Sequence, residues 1–153
     1  MAIVVEVPSD VQLGVTKATM LRRGLLLRCP VCGGRGVIHH WFGIVDRCPA
    51  CDLKLERIEG HSIGYIGLNT MVCFTLTFWV VLIGAIIMVP DVRVGPLLIA
   101  GLIPAAIGPI LFAPGARTVW TAIDLMMRPL KPGEVDPRYV KVDPARDGPA
   151  PQA

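Results

Sequence analysis

The sequence predicts a small membrane protein in which an N-terminal four-cysteine zinc ribbon, built of short β-hairpins, is followed by a hairpin of two transmembrane helices. Three observations predict it: two Cys-x-x-Cys pairs separated by fifteen residues, two long stretches free of charge, and basic residues gathered on one side of those stretches. The chain has 153 residues, 53% of them hydrophobic and 18% charged. That leaves a soluble part of about sixty residues ahead of the first span, a size that needs a metal or disulfide to hold it.

The cysteines meet that need. Cys29 and Cys32 bracket Pro30 and Val31, and Cys48 and Cys51 bracket Pro49 and Ala50. Each pair forms a tight knuckle whose sulfurs point to one ion, and two knuckles complete a tetrahedral four-thiolate site for a structural Zn2+. Gly33 follows the first pair and permits the sharp backbone turn, and Asp52 stands at the equivalent place after the second. Four thiolates on Zn2+ carry a net charge of −2, which Arg28, Arg35 and Arg47 are placed to offset. A closed four-sulfur shell leaves no position for substrate or activated water. Two other uses of the same atoms stand beside the zinc ribbon: a rubredoxin-like iron site, and free dithiols that exchange disulfides. His39, His40 and Trp41 fall between the pairs, at the tip of the ribbon's hairpin. Adjacent strand residues point to opposite sides, which disfavours a shared second site for the two histidines.

From Ser62 to Pro90 there is no Asp, Glu, Lys, Arg or His, and a first span is predicted over Ile63–Val89. After the turn Pro90–Arg93, a second charge-free stretch runs from Val94 to Ala116. It carries Pro96, Pro104, Pro109 and Pro114, whose missing N–H groups leave carbonyls that a neighbouring helix or side chain must satisfy. Gly101, Ala105, Pro109 and Ala113 fall four apart and predict the face on which the spans approach. Thr118–Met127 continues helically, with Asp124 its one charge. Cys73 reads as a small packing or lipid-facing residue, and Gly60 and Gly64 as a flexible entry to the first span. Arg93 alone lies in the turn, against eight basic residues from Lys17 to Arg57 and six from Arg117 to Arg146, so both termini are expected in the cytoplasm.

Four regions follow. Residues 1–27 include a helix from Ser9 or Asp10 through Arg23, either resting on anionic headgroups or packed on the ribbon. Glu6 and Asp10 interrupt the place where a signal peptide would be basic and then apolar. Residues 28–60 form the ribbon and 61–127 the hairpin, with spans at about 63–89 and 94–116. Residues 128–153, punctuated by Pro129, Pro132, Pro137, Pro144, Pro149 and Pro151, are expected to be a disordered tail.

The run Arg28-Cys29-Pro30-Val31-Cys32-Gly33, then Val45-Asp46-Arg47-Cys48-Pro49-Ala50-Cys51, followed at once by a two-span hairpin, resembles the bacterial membrane proteins classed as the domain of unknown function 983 family. The resemblance covers about Leu21 to Arg128. Gly60-His61-Ser62-Ile63 stands where the family usually has Gly-Asp-Gly-Pro, and Ala113-Pro114 where it has Arg-Pro, which marks a divergent member. The family has no established activity. Its members are encoded in some bacteria beside cytochrome oxidase subunits and assembly factors.

Neither span holds an Asp, Glu, Lys, Arg or His for a proton relay or ion path, and no Ser-His-Asp set, phosphate loop or carboxylate pair is apparent. The sequence therefore predicts a non-catalytic accessory or assembly protein of the inner membrane, with the bilayer and a cytoplasmic or membrane protein as partners. A redox or metal-handling protein using the thiolates or His39 and His40 is the rival class. A nucleic-acid binder is not expected, because no basic stripe with interleaved aromatics accompanies the ribbon.

Overall fold

A computed structural model describes residues 7–57, 60–131 and 133–142. Residues 1–6 of the N-terminal segment lie outside the described residues. So does the part of the tail beyond Val142.

The N-terminal region folds as two short helices, α1 (Ser9–Leu13) and α2 (Lys17–Leu25), rather than the single helix expected through Arg23. Gly14 takes a left-handed conformation (φ +61°) and closes α1, and Thr16 then caps α2 by accepting a hydrogen bond from the Thr19 N–H. Ser9 does not cap α1. Its hydroxyl is buried and donates to the Arg128 carbonyl at 2.8 Å.

A two-stranded antiparallel sheet follows, β1 (Ile38–His40) with β2 (Gly43–Ile44). The helices α3 (His61–Ile87) and α4 (Val94–Met127) make up the rest of the architecture. Both are long and apolar enough to cross a membrane. Gly101 brings α4 against α3 so closely that a Cβ there would lie 2.9 Å from Val81, and Gly108 lies against Cys73. Of the four-residue stripe read from sequence, Gly101 and Ala113 are buried and Pro109 is half-buried, while Ala105 is exposed, and Pro104 and Gly108 lie half-buried beside it. Gly64 is a point of close approach as well: the Trp120 ring occupies the space a side chain there would need. Arg117 stacks its guanidinium 4.1 Å over the Tyr65 ring one turn away.

Two carbonyls beside Pro114 find donors outside their own helix. Pro114 has no N–H to offer the Ile110 carbonyl, and the Trp41 indole Nε1–H supplies one at 2.6 Å. The Asn69 amide on α3 donates to the Pro109 carbonyl at 3.0 Å.

The charge-free stretch ends at Ala116, yet α4 runs three turns further and these turns are its most buried part. Thr118 donates to the Gly24 carbonyl at 2.7 Å, and a Cβ on Gly24 would meet the Thr118 carbonyl at 2.9 Å, so α2 lies directly on α4. Ala122 and Leu125 join Leu13, Met20, Val37, Leu53, Leu55 and Val135 in one core. That core draws on all four of the regions divided in sequence.

Residues 128–142 depart from the expected disordered tail. The Lys54 N–H donates to the Glu134 carbonyl at 2.8 Å, Asp136 N–H to Cys51 at 2.9 Å and Lys141 N–H to Gln12 at 2.7 Å. Val135 is buried, with Leu130, Tyr139 and Val140 packed beside it, and Pro137–Tyr139 forms a 3-10 turn. The prolines set an extended path without preventing these few apolar side chains from reaching a core supplied by other elements.

Arg57 joins three segments. Its side chain is 3% exposed and its guanidinium donates to Asp124 (3.1 Å, itself 1% exposed), to Glu134 (2.8 and 3.0 Å) and to the carbonyls of Arg128 and Pro129. Removing one member of a buried ion pair strands the other charge, at about 3–5 kcal/mol. Arg57→Ala is therefore expected to destabilise the cysteine-bearing half by about that much, with early protease cleavage between residues 128 and 142. Parent-like denaturation and proteolysis profiles would contradict this role.

Candidate metal centre

The two knuckles have the same backbone construction. In the first, the Gly33 N–H donates to the Cys29 carbonyl (2.9 Å) and the Cys29 N–H to Gly34 (3.0 Å). In the second, the Asp52 N–H donates to Cys48 (2.9 Å) and the Cys48 N–H to Leu53 (2.9 Å). Gly33 and Asp52 both take positive φ, +75° and +56°, the turn that their positions required. The first knuckle also directs the Gly34 N–H at the Cys32 sulfur, 3.3 Å away.

The Sγ atoms of Cys29, Cys32, Cys48 and Cys51 all lie within 4.8 Å of one another. Cys29 and Cys51 are 3.6 Å apart, Cys32 and Cys48 3.7 Å. Sulfurs at about 2.3 Å from a tetrahedral metal lie about 3.8 Å from each other, so the four are arranged to bind one metal ion and the donor set fits zinc. Cys29, Cys48 and Cys51 are buried and Cys32 is partly so. Among the described residues no other group of three or more Cys, His, Asp or Glu side chains is gathered in this way.

The arginines act on the backbone of the knuckles. Arg47 pairs with Asp52 at 2.7 Å and also donates to its carbonyl. Arg23, reaching from α2, donates to the carbonyls of Pro30 and Val31. Sequence reasoning assigned the first knuckle to Arg28 and Arg35 and missed Arg23. Its available signal was weak: a basic residue in the last turn of α2, six residues before Cys29.

His39 and His40 also depart from expectation. Ile38 pairs with Ile44 and His40 with Gly43, so β1 has one residue more than β2 and bulges at His39. The bulge cancels the strand alternation and leaves the two Nδ1 atoms 2.6 Å apart at an exposed tip. His61, read as part of a loose entry, is buried at the start of α3, and Cys73 packs against Gly108. No family model, curated protein or solved structure matches the chain.

Four thiols this close cannot ionise independently. The hydrogen bond from Cys29 holds Cys51 down to about 6. That bond, with burial, pushes Cys29 far above the usual thiol range, and burial pushes Cys32 up to about 11. At neutral pH a metal must therefore displace protons from Cys29 and Cys32, while Cys51 is already a thiolate. Each displaced proton weakens binding about tenfold per unit fall in pH. Affinity is thus expected to drop at least about a hundredfold per unit as pH falls from 8 toward 6. The slope should steepen below about 6, where Cys51 takes up its proton. Chelator competition across this range measures the slope, and a flat profile would contradict it.

Proposed function

We propose that this chain is an inner-membrane protein with both termini in the cytoplasm, whose four cysteines hold a structural Zn2+. Its ribbon serves as a non-catalytic docking module for a protein partner in accessory or assembly work. The observation that carries this reading is the position of the cysteine cluster: a closed four-sulfur shell inside the same core as Ala122 and Leu125 of α4. A metal there joins a binding surface firmly to a membrane helix and has no open coordination position for chemistry.

Several further observations support it. Large apolar side chains along α3 and α4, among them Met71, Phe74, Phe78, Ile83, Leu98, Leu102 and Ile107, are exposed. An apolar surface of that extent suits lipid better than water. Arg93 and Asp91 are the charges of the turn, and the other basic residues flank the far ends of the spans, which supports a cytoplasmic ribbon. The resemblance to the domain of unknown function 983 proteins, through the two knuckles and the hairpin, supports the same architecture in a bacterial membrane.

Detergent-purified protein is expected to contain one colourless zinc per chain. A variant with Cys29→Ser and Cys48→Ser should lose that metal together with ribbon structure, while still fractionating with membranes. Iron colour, or no metal with four reactive thiols, would overturn the structural reading in favour of redox chemistry.

A further inference from the structure

The soluble half exposes apolar side chains in two places that a cytoplasmic module has no reason to expose. Trp41 and Phe42, between β1 and β2, are 53% and 58% exposed. Leu25, Leu26 and Leu27, at the end of α2, are exposed as well. Both places lie against α4, and the helix serves as a ruler for their depth.

Trp41 is bonded to the Ile110 carbonyl, sixteen residues on from Val94. At about 1.5 Å per residue this is about 24 Å from the turn that closes the hairpin, short of the about 30 Å of a bilayer's hydrocarbon core. A Cβ on Gly115 would lie 4.0 Å from Leu27. Gly115 is about 32 Å along the same helix, at the core's edge. Arg117, the first charge on α4, comes just beyond, with its guanidinium stacked on Tyr65. Along α4 the exposed apolar groups thus lie on the hairpin side and the first cation just beyond them, as across a membrane boundary.

We infer that the ribbon is itself seated in the bilayer surface. The Trp41–Phe42 tip enters the edge of the hydrocarbon, and Leu25–Leu27 lie at its border with the headgroups. This inference rests on the reading of α3 and α4 as membrane spans and adds a second, lateral contact made by the metal-binding half. The occupant is lipid, because both patches continue the exposed apolar belt of α3 and α4 at its cytoplasmic end. Arg22 and Arg28, which bracket the leucines in sequence, add attraction for anionic headgroups. An indole that donates to a helix carbonyl at this depth also satisfies a group that water would not reach.

Site-selective fluorescence quenching tests the inference on the full chain in phosphatidylcholine–phosphatidylglycerol vesicles. One variant, Trp79→Phe with Trp120→Phe, retains Trp41. A second, Trp41→Phe with Trp120→Phe, retains Trp79 in the middle of α3. The Trp41 variant is expected to show blue-shifted emission and to lose most of it to phospholipids brominated near the glycerol end of the acyl chain, with less loss to deeper bromines. If Trp79 is quenched and Trp41 is not, the spans are inserted, the ribbon stands clear of the bilayer and the inference is overturned. If neither is quenched, the membrane reading fails and takes the inference with it. If Trp41 is shielded from both bromolipid and aqueous iodide, protein covers the tip and lipid is the wrong occupant.

A nitroxide at Leu26→Cys in a Cys73→Ala background, read against the same background without the added cysteine, reports the second patch independently of the tryptophan changes. It should be relaxed by oxygen more than by a water-soluble nickel complex, and the reverse preference would overturn the headgroup-level placement of the leucines.

Discussion

Withdrawing a guanidinium from water costs several kcal/mol unless its donors are met and its charge is balanced. Arg57 satisfies both conditions by drawing in two carboxylates and two backbone carbonyls from different parts of the chain. Asp124 is on α4, Glu134 is on the returning segment, and Arg57 itself lies on the stretch that leads out of the second knuckle toward α3. Among the described residues the backbone and hydroxyl links between these segments are isolated ones, such as Lys54 N–H to Glu134, Asp136 N–H to Cys51 and Thr121 to Leu55. Arg57 binds all three together, and the sulfur cluster depends on their arrangement, because Leu53, Leu55, Leu125 and Val135 pack the same core.

The proline-rich helix is held by a related rule applied to backbone groups. A helix with Pro104, Pro109 and Pro114 gives up N–H donors in its interior. Near Pro114 the Pro109 carbonyl accepts an additional bond from Asn69 on α3, and the Ile110 carbonyl, which has lost its donor, accepts from Trp41 on the ribbon. The second of these makes the irregularity of α4 a point of attachment for the cysteine-bearing half. Thr118 does comparable work one turn later, bonding both its own helix and the end of α2.

Much of this was legible in the sequence where the signal was local. The Cys-x-x-Cys spacing identified all four clustered sulfurs, and the need for positive φ after each pair identified Gly33 and Asp52. The charge-free stretches located α3 and α4 to within a few residues at most ends. What was not legible depended on partners distant in the chain. Nothing near Arg57 or Asp124 announces that they pair, 67 residues apart. Nothing in a proline-punctuated stretch announces that Val135 and Tyr139 will find a core built elsewhere. Gly14 carried a readable stop signal, but the apolar periodicity across it read as one helix, and a single left-handed residue was enough to turn the chain. The bulge at His39 escaped because alternation assumes equal residue counts on the two strands.

The return of the C-terminal segment also sets an order of events during synthesis. All four cysteines have been translated once Cys51 is added, but Glu134 and Val135, which complete the charge balance of Arg57 and the core around the sulfurs, come more than eighty residues later. At the usual ribosomal pace of about 5–20 residues per second, that delay is on the order of 4–17 seconds. Both hydrophobic hairpin segments emerge within it. The nascent knuckles thus wait, thiols uncovered, while the two long helices are made, and maturation of the cysteine-bearing half is coupled in time to the emergence of α3 and α4.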